Sequence, residues 1–134
     1  MTPFDASGFL ETHGLRATQP RLKIASILFG DGRHRHVTAE WLADEITRQG
    51  EPVALATVYN TLHALVSAGA LREVHGAAAG TIVFDTHTRP HHHFYDETTG
   101  ELTDIPSDAV TVSALPAAPG GKSIAGCDII IRIR

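Results

Sequence analysis

A single cysteine, Cys127, in 134 residues excludes an intramolecular disulfide framework and any zinc site built from four thiolates. No apolar run approaches the roughly 20 residues that span a bilayer. The opening residues, MTPFDASGF, carry no basic region followed by an apolar stretch, so no secretory signal is expected. These absences predict a cytoplasmic protein with no membrane partner. A basic surplus is missing too: the net charge is −4. Residues 1–76 hold seven Lys or Arg against eight Asp or Glu, and residues 77–134 hold four against seven. A cationic footprint can therefore arise only by local clustering, with Arg16, Arg21 and Lys23 as the candidates. Hydrophobic residues at 43% and charged residues at 19% indicate a globular chain. Nine histidines, three of them consecutive at 91–93, are what the chain has in excess.

The stretch 54–71, ALATVYNTLHALVSAGAL, places Val58, Leu62, Leu65 and Val66 on one helical stripe. At about 100° per residue, Thr57, Asn60, Thr61 and Ala64 fall opposite, with Tyr59 and His63 on one flank. That face lacks Lys and Glu, as a helix entering a groove would. Gly69 is the expected stop, and Ala54 and Leu55 offer no side-chain cap. Upstream, residues 4–13 read as a short amphipathic helix. Thr18 caps a second helix with Pro20 in its first turn, ending at Gly30. Residues 31–36 form a polar connection. Thr38 caps a third helix, with Val37 as a hydrophobic staple and Glu40 at its positive end. Beyond Gly69 the period drops to 2, predicting strands at 71–75 and 81–85 around a Gly-rich turn.

Three helices, a fourth that follows a turn, and a β-hairpin make a winged helix-turn-helix. Residues 1–85 are thus predicted to be a winged-helix DNA-binding domain, and 86–90, closed by Pro90, a hinge. Residues 91–134 are a small module of three strands, a brief helix over 107–112 and a Pro- and Gly-containing loop at 115–121. The fold class is α+β. The terminal run DIIIRIR is too apolar to lie exposed, and so small a module cannot bury a full core alone. Pairing with a second copy covers it, and a two-fold dimer matches a palindromic operator. Residues 91–134 are accordingly read as a dimerisation domain, and the resemblance given below implies metal or haem sensing there.

Asn60 pairs with adenine, while Thr57, Tyr59 and Thr61 suit thymine methyls or phosphates, which implies an A·T-rich operator of double-stranded DNA. Arg16, Arg21 and Lys23 hold phosphates, and Arg72 serves at the wing. His91 and His93 share one strand face and His92 points the other way. Haem is a second candidate ligand of His91, His92 and His93, with Phe94 and Tyr95 available for stacking. Cys127 reads as a packed core thiol.

The motifs GLRATQPRLKIASIL, HVTAE, LATVYNTL and HHHF, in that order, resemble the ferric uptake regulator (Fur) family of bacterial metalloregulators. The resemblance implies a metal site of His36, Asp85, His91 and His93, holding one Fe²⁺, Mn²⁺ or Zn²⁺ per subunit and controlling operator binding by a homodimer. Most of the family binds a structural zinc through paired CxxC motifs. Asp96 and Thr99 stand at corresponding positions here, so no cysteine-held structural zinc is expected. The family's second site would fall at Pro90, His92 and Thr111, so one metal site is expected, with His87 or Asp104 able to complete only a weak second one. VYN in place of VYR, with HHHFYDETTGELTDIPSDAV, is most similar to the iron response regulator (Irr) branch. That likeness implies control of iron and haem homeostasis, with DNA released as haem accumulates. A manganese- or zinc-responsive repressor is the alternative. A metal-storage protein is a remote one, since storage explains the histidines but not the winged helix. An enzyme is not expected, because no HExxH pattern or general base accompanies the histidines.

Overall fold

The computed structural model describes residues 3–134, so the first two residues of the predicted 1–85 domain lie outside the described residues. The chain divides into two compact units between Thr88 and Arg89, inside the segment 86–90 read as a hinge. In the first unit, α1 (Ala6–Thr12), α2 (Gln19–Phe29), α3 (Ala39–Arg48) and α4 (Leu55–Ser67) accompany the strands β1 (His36–Val37), β2 (Arg72–Val74) and β3 (Val83–Asp85). Side-chain caps start three of the helices. Asp5 Oδ1 accepts from the Gly8 amide at 3.0 Å, Thr18 Oγ1 from Arg21 at 3.3 Å and Thr38 Oγ1 from Trp41 at 3.1 Å, each satisfying an orphan N–H of the first turn. α4 starts without a side-chain cap. It ends in a Schellman turn: the Ala70 amide donates to Leu65 O at 2.9 Å and Gly69 to Val66 O at 3.0 Å, which requires the positive φ of +79° at Gly69.

The core joins Leu10, Ile24, Leu28, Leu42, Ile46, Val58, Leu62, Leu65 and Phe84, all fully buried. Four helices and a sheet therefore share one apolar centre. Strand order is β1-β3-β2, antiparallel throughout. The sequence shows His36 as the end of a polar connection and Val37 as a staple, not as a strand. Two residues are too few to show an alternating pattern, and they become a strand only because β3 offers them a partner.

The second unit is a three-stranded sheet, order β5-β4-β6. Central β4 (His91–Asp96) runs antiparallel to β5 (Leu102–Pro106) and parallel to β6 (Ile130–Ile133). The helix expected over 107–112 contracts to a single 3₁₀ turn, Ser107–Ala109. Ile131 and Ile133 are 37% and 42% exposed, so the terminal run expected to be covered is open in one chain. Val112, Leu115 and Ile124 are exposed as well. Cys127, expected in a core, is also exposed: it lies in residues 122–129, which form no helix or strand, so no second layer covers it. No helix among the described residues is long and apolar enough to cross a membrane.

Phe84 sits fully buried on the central strand β3. Phe84→Ala should lower the stability of the first unit by about 3–5 kcal/mol, whereas Thr38→Ala, which removes one cap, should cost about 1 kcal/mol. Urea unfolding followed by far-UV circular dichroism measures both, and equal losses would contradict the assignment of Phe84 to the core.

Candidate metal centre and nucleic-acid face

In the first unit, the β1–β3 register sets His36 opposite Asp85. His36 Nε2 lies 3.2 Å from Asp85 Oδ2. Asp85 is fully buried, and its other oxygen accepts the His87 amide at 2.8 Å. Burying a carboxylate is costly unless such partners compensate it.

In the second unit, His91 and His93 occupy alternate positions of β4, are 3% and 2% exposed, and bring their rings to 4.6 Å. The β4–β5 register places Asp104 opposite His93. The Nε2 atoms of His91 and His93 each lie 3.3 Å from Asp104 Oδ1. His91 Nδ1 donates to the Arg89 carbonyl at 2.6 Å, so the neutral ring presents a lone pair at Nε2. Ligand atoms of a tetrahedral ion with bonds of 2.0–2.1 Å stand about 3.3 Å apart, so the donor spacing suits a metal. His92 points elsewhere: its Nδ1 accepts the Ile129 amide at 3.1 Å, while the His93 amide donates to Ile129 O.

The sequence alone points to Asp104 only for a weak second site. The signal that finds it is the turn at Thr98-Thr99-Gly100, whose Gly100 amide closes back on Asp96 O at 2.7 Å. Once that turn sets the hairpin register, Asp104 must oppose His93.

On α4, Asn60 and His63 are exposed, while Thr57 and Tyr59 are half-buried. Thr61 is only 4% exposed, which corrects its assignment to the outer face. It stands three residues after Val58 and four before Leu65, inside the stripe that packs on the core. The open face is instead Ala56, Asn60, His63 and Ser67, with Tyr59 beside it. Tyr59 donates its hydroxyl to Glu40 Oε1 on α3 at 2.9 Å. His63 Nε2 approaches Glu73 of β2 at 3.8 Å. Arg16 is exposed and its carbonyl accepts from the Arg21 guanidinium at 3.1 Å. Arg21, Lys23 and Arg72 are half-buried.

The sequence matches the Ferric uptake regulator family over residues 12–128. It is 40% identical to the ferric uptake regulation protein of Shigella flexneri over 89 residues, covering 66% of this chain and 58% of that protein. The match thus spans less than two thirds of that relative's length. The Vibrio cholerae protein is 34% identical over 107 residues, covering 79% of this chain and 70% of its own. Among solved structures, the ferric uptake regulator of Pseudomonas aeruginosa, determined with manganese, superposes with a TM-score of 0.72 at 26% identity, covering 98% of both chains. The Vibrio cholerae regulator gives 0.73 at 25% identity, over 97% of this chain and 99% of that one.

The Glu40 carboxylate, by accepting the phenol's hydrogen bond and by its charge, holds the Tyr59 hydroxyl above the usual phenol range. The proton is therefore favoured in the folded state, and the contact is kept until pH rises through this raised value. Glu40→Gln should bring one of the chain's two tyrosines down toward ordinary titration. Absorbance at 295 nm against pH reads this, and two unchanged titrations would refute the contact.

Proposed function

Since the chain belongs to the ferric uptake regulator family, we propose that it is a metal-responsive transcriptional regulator that binds operator DNA as a homodimer. The observation that carries this reading is the donor spacing: His36 to Asp85 at 3.2 Å in one unit, and His91 and His93 to Asp104 at 3.3 Å in the other. We assign His36, Asp85, His91 and His93, joined by Asp104, to one divalent ion per subunit. Imidazole and carboxylate donors together suit Zn²⁺, Fe²⁺ or Mn²⁺. Bound there, the ion would supply a fixed positive charge to its donors. The chain's own groups do the rest: the Arg89 carbonyl keeps His91 in the ligating tautomer, and the hairpin register aims Asp104.

DNA contact is assigned to Tyr59, Asn60 and Thr57 on α4, with Arg16, Arg21 and Lys23 on phosphates. The operator would be an A·T-rich palindrome. The exposed isoleucines of β6 support a dimer, since a second copy would cover them. Iron and haem control, as in the iron response regulator branch, is the finer reading and rests on VYN and the histidine triplet. The triplet's geometry favours an ion over haem. His91 and His93 are buried, and His92 already uses Nδ1 to accept an amide, which leaves its Nε2 protonated in the neutral ring.

Fluorescence anisotropy with an iron-responsive promoter fragment tests the proposal on metal-free protein, then with Fe²⁺, Mn²⁺, Zn²⁺ and haem. An ion should change affinity at least tenfold. Asp104→Asn should abolish that response while basal binding persists, and Asn60→Ala should lose about 1–3 kcal/mol of discrimination at one base pair. Affinity for no DNA under any condition, or an ion response intact in Asp104→Asn, would overturn it. A response to haem alone would replace the ion with haem as the ligand.

A further inference from the structure

The β1–β3 pairing does not stop at its last assigned step. Partners His36↔Asp85 and Val37↔Phe84 extend outward as Arg35 opposite Thr86, then His34 opposite His87. Two hydrogen bonds fasten the intermediate step: the Arg35 amide donates to Thr86 Oγ1 at 2.8 Å, and the Thr86 amide donates to Arg35 O at 3.1 Å. His34 and His87 then lie two residues beyond His36 and Asp85, on the same face of the ribbon, because alternate positions share a face. Their imidazoles stack with ring centroids 4.1 Å apart and planes 10° from parallel.

We propose that His34 and His87 form a second metal site, a cross-strand bis-imidazole chelate within the first unit. It is separate from the regulatory site proposed above, because neither histidine is a ligand there. Two nitrogens on one ion, with bonds of 2.0–2.1 Å, stand roughly 3.0–3.4 Å apart. One ring nitrogen of each lies within 4.8 Å of the other, and binding one ion opens the stack by rotation about the side-chain torsions until both lone pairs converge. His34 is exposed, so an ion enters from solvent and keeps water at its remaining positions. The pair itself brings two imidazole nitrogens, which favour Zn²⁺, Ni²⁺ or Cu²⁺ over Mn²⁺ and Mg²⁺. The inner His36–Asp85 pair and the outer His34–His87 pair thus differ in ion preference although they sit one ladder repeat apart. An ion on the outer pair would cross-link the segments that flank β1 and β3 and stiffen the strand pair on which Asp85 is carried.

The test is a Cu²⁺ titration of the full chain, read by calorimetry and by electron paramagnetic resonance, with His34→Gln, His87→Gln and the double variant. Either single substitution should weaken one copper equivalent at least tenfold and remove its two-nitrogen hyperfine pattern. The double variant should lose no more than either single one, because a chelate fails when one arm is gone. Saturating Mn²⁺ should not compete for this equivalent. The same losses are expected in a His93→Ala, Asp104→Asn background, which separates this site from the regulatory one. A change below tenfold in either single variant, independent additive losses, or displacement by Mn²⁺ would each overturn the proposal.

Discussion

A carboxylate removed from solvent must be met by donors, and Asp85 on β3 is fully buried. One oxygen takes the His87 amide and the other faces His36. Both partners come from segments beside the β1–β3 register, so the two-residue strand β1 is held where its histidine compensates that charge. Breaking the pair would remove one of the partners that offset this buried charge, costlier than a lost surface contact. The polar segment 31–36, the wing strand and the fully buried Phe84 one residue before Asp85 are therefore coupled through one side chain.

The second unit uses the same device with different parts. Strand alternation alone puts His91 and His93 on a common face, and hairpin register adds Asp104. A backbone carbonyl fixes the tautomer of His91, which leaves a lone pair beside an acidic oxygen. Each unit thus holds imidazole and carboxylate donors together, the combination that a divalent ion such as Zn²⁺, Fe²⁺ or Mn²⁺ takes. The sheet that carries the second group leaves isoleucines open along β6, where a small module has no second layer to cover them.

Much of this was legible beforehand. The caps at Thr18 and Thr38, Pro20 in the first turn and Gly69 past the end of α4 are local effects, each decided within four residues, and all appear in the structure. Boundaries drifted where tertiary pairing acts: predicted strands at 71–75 and 81–85 shortened to three residues each, and β1 went unread. The angular count puts Thr61 on the reading face, but its spacing of three residues from Val58 and four from Leu65 places it in the buried stripe. Cys127 was assigned to a core by its residue type, but a residue type cannot supply a layer to pack against.

By itself the sequence determined the order of the four helical segments and the wing hairpin, and which histidines share a strand face, because periodicity and capping depend on near neighbours. Tertiary structure decided what those histidines meet. Asp104 is eleven residues from His93 and Asp85 is forty-nine from His36, and only strand register brings such pairs within 3.3 Å. Register depends on turns and on burial of one face, both long-range properties, so the donor set emerges only when the strands are paired.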